Sequence, residues 1–355
     1  MKSINATLTA NQKLPNGRPF ATASLADNNR LHPTATAAGT TAGDKTIGVE
    51  CGSFYVRIRF KAGGANTLEV QKITDPTVAS QWTTWSALVA SNVYAGNTVG
   101  LFWTGTYAVV VWQDQPTGDI KYKRSSDGIT WSATGQARAA LIAQANSAGV
   151  SGTSPNCGIM TAYSAQLYWQ KYTDATDTWT AAESAGATFT TATPEVAAFQ
   201  DTINNRYVVA VSVAGWATWT AYAIVLYTRA VSAATWSTGQ LAFTAAAASF
   251  NALNFSQRQI GGYWWLSFYR ARAWNVGSVS TFLVSASNDG LFFDDPTPTP
   301  VVGNEFLLSI LPAPSGGQWA NPYFSTERQI YRLDTYTYWS AAVVAYHFTT
   351  GLGGF

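Results

Sequence analysis

A tryptophan followed by a hydroxyl residue recurs along this chain: Trp85-Ser86, Trp131-Ser132, Trp179-Thr180, Trp236-Ser237 and Trp339-Ser340, with Phe293 where one more is due. The marks stand 46 to 57 residues apart. That is close to the interval at which four-stranded propeller blades repeat, roughly 40–50 residues. Between marks the order is constant: a nearly continuous apolar run, a polar turn, then a run that alternates. Tyr107 to Trp112, Tyr207 to Val213, Tyr263 to Tyr269 and Phe306 to Leu311 are the first runs, of the kind buried on both faces. Ile120 to Arg124, Ala223 to Tyr227 and Thr281 to Ser285 are the second. The turns Gln115 to Asp119 and Asp201 to Asn205 are expected to join the two runs. Helical periodicity is scarce, Ala137 to Ala145 being the one stretch that suits a short helical turn. The chain is therefore expected to be all-β: a β-propeller of six four-stranded blades, or seven if both termini build another.

Three segments break the repeat. Residues 1–44 are rich in Thr, Ala, Asn and Gly and read as an N-terminal extension or arm; residues 45–335 form the propeller; residues 336–355 read as a C-terminal strand for ring closure or assembly. Asp294 to Pro300 is expected to be a connector that no strand traverses, because proline fixes φ and lacks a ladder donor.

Composition narrows the function. Charged residues make up 11% of the chain, against about 25% in ordinary soluble domains. The 21 basic and 19 acidic residues are not clustered, which argues against nucleic acid as a partner. No apolar run has the length of a membrane helix, about 20 residues. The start, Met1 to Gly17, has no apolar stretch typical of a secretory leader. An extracellular or virion-surface setting is expected, reached either with a leader that was removed or by another route such as lysis or a dedicated machine. Cys51 and Cys157 match no metal or redox spacing, and isolated buried thiols are the commoner reading. With two histidines there is no material for a histidine-rich metal site. No cofactor and no metal are expected.

Ser125-Ser126-Asp127-Gly128-Ile129-Thr130-Trp131 resembles the Asp-box, the bacterial neuraminidase repeat of sialidase-like propellers, and Ser287-Asn288-Asp289-Gly290-Leu291-Phe292-Phe293 repeats it in weaker form. Both copies lack one residue between Asp and Gly. Asp177-Thr178-Trp179 and Asp75 to Trp85 look like eroded versions. The resemblance implies a hairpin turn between the outer two strands of a blade. In it the aspartate accepts backbone N–H bonds, the glycine takes positive φ and the tryptophan packs between blades. Ser125, Asp127, Gly128, Thr130, Trp131, Ser287, Asp289, Gly290 and Phe293 are thus structural. Val70 to Pro76, followed by Trp82 to Ser86, is similar to the first blade of uncharacterised bacterial and phage-associated propeller proteins.

A sialidase would need an arginine triad, a Tyr–Glu nucleophile pair and an Asp acid, with the first arginine in an F/Y-R-I-P segment. Tyr55-Val56-Arg57-Ile58-Arg59-Phe60 is the nearest string and lacks the proline. It reads equally as an alternating strand with its arginines on the outer face. Asp114, Asp119, Glu195 and Asp201 lie near strand ends, where glycosidase carboxylates pair, although exposed turn carboxylates are the commoner case. No nucleophile elbow or phosphate loop occurs. No catalytic residue is assigned and the chain is expected not to be an enzyme.

Aromatics give the best lead, with 15 Trp and 17 Tyr. Trp216, Trp219, Trp265, Trp274, Trp319 and Tyr323 are the candidate ligand-binding residues, since sugar C–H faces stack on such rings. For any single one, a wedge between blades is the commoner role. Two readings follow. One is a non-catalytic surface or virion-type propeller that binds glycans in adhesion and assembles with copies of itself or other surface proteins. The other is a glycoside hydrolase of sialidase-like fold with an unrecognised carboxylate pair.

Overall fold

The computed structural model describes residues 45–333, apart from 62–65, 75–83, 95–98, 140, 142–143, 190–193, 217–218, 246–249, 256–263, 271–280, 293–296, 303–308, 313–317 and 322–330. Both proposed terminal segments, Trp274, Tyr323, Phe293 and the Trp339-Ser340 mark lie outside these residues.

Every element among the described residues is a strand. The first sheet holds β1 (Lys45–Cys51), β2 (Phe54–Lys61), β3 (Thr67–Ile73) and β4 (Ser86–Val89), and the second holds β5 (Gly100–Trp103), β6 (Ala108–Gln113), β7 (Ile120–Ser125) and β8 (Gly135–Arg138). The third runs β9 (Ala145–Val150), β10 (Cys157–Tyr163) and β11 (Gln166–Thr173). Its outer position is shared by β12 (Thr178–Trp179) and β13 (Glu183–Thr188), which both pair with β11. The fourth is β14 (Val196–Asp201), β15 (Arg206–Trp216), β16 (Trp219–Ala230) and β17 (Gln240–Ala245). The fifth is β18 (Phe250–Phe255), β19 (Trp264–Arg270), β20 (Thr281–Ser287) and β21 (Thr297–Val302). The last comprises β22 (Ser309–Pro312), β23 (Gln318–Asn321) and β24 (Tyr331–Leu333). All pairings are antiparallel meanders.

The first strands touch in sequence, β1 to β5, β9, β14, β18 and β22, and β22 returns to β1. The six sheets of the described residues therefore close a ring, which is a β-propeller with its first strands innermost. Neighbouring first strands run the same way: Trp103 N–H donates to Ser151 Oγ at the end of β9 (3.0 Å), and Asn146 Nδ2 near its start donates to Pro194 O just before β14 (3.1 Å). The end of the ring where first strands begin is here the upper end.

The apolar runs read from the sequence are second strands: β6, β15 and β19. Phe306 to Leu311 instead overlaps β22, a first strand, and the Asp201–Asn205 turn joins first to second strand, not second to third. Three expectations need correction. A strand does run through the proline-rich segment. Its Pro298 faces Leu283 on β21, the outer edge of its sheet, where no further neighbour needs the missing N–H. Ala137 and Arg138 belong to β8 and Ala145 opens β9, in place of a helical turn. Arg57 and Arg59 are buried, not on an outer face. Arg57 Nη1 donates to Gln71 Oε1 (2.7 Å), Arg59 pairs with Glu69, and both guanidinium groups lie over the Trp85 ring at 5.1 and 4.6 Å. Burial first, and the charge of Arg59 second, lower the Arg57 pKa to about 9.

Between sheets the core is aliphatic and aromatic. Val56, Ile58, Leu101 and Val110 fill the first–second cleft, with Trp131 packed beside them, and Met160, Trp169, Tyr207 and Val209 fill the third–fourth with Trp236. The residue after each tryptophan has its own task. Ser132 donates its N–H to Arg124 O (2.9 Å) while its Oγ accepts from Arg124 N–H (3.1 Å). Thr180 does the same with Lys171, and Ser237 with Thr228. The hydroxyl oxygen thus stands in for a ladder carbonyl where the outer strand has not yet begun, which is why the mark is Trp-Ser or Trp-Thr.

Candidate functional site

The two ends of the ring differ in chemistry. At the lower end Asp127 Oδ1 accepts from the amides of Ile129 (2.8 Å) and Thr130 (2.7 Å) and from Ser125 Oγ, while Gly128 N–H donates to Ser125 Oγ (2.8 Å). Asp289 repeats the set with Leu291, Phe292 and Ser287, and Gly290 N–H donates to Ser287 Oγ (2.9 Å). Gly128 and Gly290 take φ of +72° and +74°. The amides of Ile129 and Thr130 hold the Asp127 carboxyl well below the usual carboxylate range. Burial alone would raise Asp289, but the amides of Phe292 and Leu291 outweigh it and the net shift is downward.

Each turn leans on the preceding sheet: a Cβ on Gly128 would meet Phe54 and Val56 of the first sheet, and one on Gly290 would meet Phe199 of the fourth as well as Trp264 of its own. Asp177 holds the second and third sheets together. It accepts from Tyr172 Oη (2.6 Å) and Tyr122 Oη (3.0 Å) on Oδ1, and its Oδ2 pairs with Arg124 Nη2 at 3.3 Å. Burial and the Asp177 contact raise Tyr122 to about 12. Asp201, fully buried, accepts from the amides of Ile203 and Asn204, and its Oδ2 pairs with Arg206 Nε at 2.9 Å. These carboxylates are committed to structure.

The upper end is built otherwise. Among the described residues β15 and β16 are 11 and 12 residues long against two to eight for the other strands. β14 pairs with β15 only as far as Val196–Val211, so the hairpin projects past it at the upper end. At its tip Trp216 and Trp219 are register partners, past a bulge at Ala214 to Trp216, and Tyr222 farther down is exposed. Asp114 ends the second sheet's hairpin strand here, held by Lys121 Nζ (2.9 Å) and Thr117 Oγ1 (2.8 Å). Glu195 precedes β14, and its carbonyl accepts from Ser212 N–H (2.9 Å). Asp119 lies in the same turn as Asp114, whereas Asp201 is at the other end.

Of the aromatic candidates, the register brings Trp216 and Trp219 together. Trp265 opposes Ala286 at the lower end of β19, and Trp319 opposes Leu311 within β23. Residues the sequence did not single out lie between the second and third sheets. The Arg138 guanidinium sits 4.3 Å above the Tyr168 ring and 5.8 Å from Tyr163, two rings that flank the tight Ser164-Ala165 turn. Aromatics on both sides of a two-residue turn were the available signal. Among the described residues no three His, Cys, Asp or Glu gather as a metal site. Cys51 and Cys157 are free and buried.

No protein-family model matches the chain, and no curated protein sequence does. Solved structures do. The SapL1 lectin in complex with alpha methyl fucoside matches with a TM-score of 0.55 at 12% identity, over 84% of this chain and 95% of the lectin. The endo-arabinase of Bacteroides thetaiotaomicron (TM-score 0.47, 9% identity, 86% and 98% coverage) and a PL25 ulvan lyase (TM-score 0.47, 10% identity, 85% and 82% coverage) also match. The expectation that the chain is not an enzyme is corrected here, because enzymes stand among these matches and the fold gives no ground for excluding catalysis. What the chain shares with the lectin is its propeller fold.

Proposed function

We propose that this propeller recognises saccharides at its upper end, with the projecting β15–β16 hairpin as the principal contact. The observation that carries the reading is the pairing of Trp216 with Trp219 at the tip of the longest hairpin among the described residues, with exposed Tyr222 below. Indole and phenol rings supply apolar area for sugar C–H faces at small cost in rotamer entropy. The low charge suits an extracellular or virion surface where copies pack closely.

The test is a glycan array probed with the purified chain and with W216A and W219A. Loss of a wild-type signal in either variant, with thermal stability unchanged, supports the reading. Binding that survives both substitutions refutes it. A second reading, cleavage of the bound saccharide, is favoured by Glu195 and Asp114 standing at the same end of the ring. It requires reducing ends to appear from a bound polysaccharide and to vanish in E195Q.

A further inference from the structure

The cleft between the second and third sheets differs from its neighbours in its upper half. The third sheet turns residues 157, 159, 161 and 163 of β10 and 166, 168, 170 and 172 of β11 towards the second sheet. The lower part, Cys157, Ile159 and Tyr172, joins Phe102, Val109 and Val111 in an ordinary apolar core. The upper part is Thr161, Tyr163, Gln166, Tyr168 and Gln170. The third–fourth cleft is lined by Ala162, Leu167, Val211 and Val213 at the same level, and in the first–second cleft the polar side chains Lys121 and Lys123 have partners, Asp114 and the Leu88 carbonyl.

Thr161 and Gln170 are 1% and 2% exposed, yet Thr161 Oγ1 and Gln170 Oε1 find no hydrogen-bond partner among the described residues. Arg138 Nη1, facing them from β8, finds none either. Gln170 is nonetheless fixed in place, since its Nε2 donates to Ala137 O (3.1 Å) and Thr180 O (3.0 Å). Tyr168 Oη donates to Gln166 Oε1 (2.7 Å). Three buried polar atoms without partners in one cleft are costly, and natural folds keep such groups where something else satisfies them.

We propose that this upper cleft is a saccharide subsite for a neutral sugar residue with adjacent hydroxyls, an assignment that rests on the saccharide reading above. The unpartnered set is one donor (Arg138), one acceptor (Gln170) and one group that does both (Thr161). An anion offers acceptors only and meets the Gln170 carbonyl oxygen unfavourably. Adjacent hydroxyls answer all three, one accepting from Arg138 and the next donating to Gln170. The Tyr163 and Tyr168 rings, half-buried at the mouth, take the apolar face of the sugar. Arg138 covers these rings and ends β8, an outer edge strand, so its long side chain can swing aside to admit the ligand and close over it.

The probes are methyl glycosides of glucose, galactose, mannose, fucose and arabinose, titrated by calorimetry and ligand-observed NMR against the whole chain. T161V and R138A are each expected to weaken the best glycoside by roughly fivefold or more, the worth of one hydrogen bond. T161V should also keep or raise the melting temperature, because it removes a hydroxyl the fold leaves unpaired. Should T161V fail to fold, R138A at its half-buried edge carries the test. Wild-type affinity in R138A and T161V, with W216A losing binding, overturns the cleft and leaves the hairpin reading standing. Water alone then satisfies the cleft. No binding of any glycoside or array glycan by the wild-type chain overturns both.

Discussion

Replacing Gly128 by alanine tests how the lower-end turns bind one sheet to the next. The residue takes φ of +72°, a region that costs an L-residue about 1–2 kcal/mol. An added Cβ would also stand 2.9 Å from Phe54 Cε2 and 3.2 Å from Val56 Cγ2. Phe54 has little room to yield, since its ring is edge-on to Trp103 at 6.0 Å and lies under Lys72 Nζ at 4.8 Å. Overpacking of this kind adds about 1–3 kcal/mol. Gly52 is the control: its φ is +66° and a Cβ there meets nothing within 4 Å. Urea unfolding should therefore show G52A losing about 1–2 kcal/mol and G128A about 2–5 kcal/mol, the difference being the contact with the first sheet. G290A, with Phe199 and Trp264 atoms at 3.2 Å, should fall between them. Equal losses in G52A and G128A would refute the claim that the turn is wedged against its neighbour.

S132A and S237A should each cost about 0.5–1.5 kcal/mol in chemical denaturation, since each leaves a third-strand N–H without its hydroxyl acceptor, and T180S should be nearly neutral. Removing Asp201 leaves two amides and the half-buried Arg206 Nε without their acceptor, although Arg206 keeps its bond to the Asp289 carbonyl, so D201A should cost about 2–4 kcal/mol by the same measurement. The depressed carboxyls of Asp127 and Asp289 stabilise the fold above the ordinary carboxylate pKa of about 4, and lose that contribution as pH falls towards their folded values. The D127N/D289N double variant should flatten that acid limb in thermal melts while leaving its shape above about pH 5 unchanged. Burial raises the Cys157 thiol to about 12 and raises Cys51 further. The native chain should resist iodoacetamide over hours and take up two labels once unfolded, as mass spectrometry will show.

Legibility followed side-chain chemistry. The second and third strands were readable because β6 and β15 are continuous apolar runs and β7 alternates. The first strands were not. β9 reads Ala-Asn-Ser-Ala-Gly-Val, small residues that sit between sheets at the narrow centre, and Gly149 is there because a Cβ would collide with the Leu101 carbonyl. Such a stretch has neither apolar period nor β-branched bias to declare it. The turn at Asp127 was legible because its bonds are local, within five residues. The Arg138–Tyr163–Tyr168–Gln170 cleft was not, since it is assembled from two sheets and from partners the alternation alone cannot pair.

The division of the ring into two ends decides what substitutions can report. At the lower end Asp127, Asp177, Asp201 and Asp289 each satisfy several donors, so changes there register as lost stability whatever the ligand. At the upper end the β15–β16 tip extends beyond the pairing of β14, and Tyr222 is partly exposed to solvent. Exposed aromatic area is retained at a cost, which on the proposed reading the apolar face of a saccharide offsets. Variants at Trp216, Trp219 and Tyr222 should thus change affinity at constant stability, while those at the four aspartates do the reverse. A chain in which the two sets behaved alike would have no separate recognition end, and the saccharide reading would lose its physical basis.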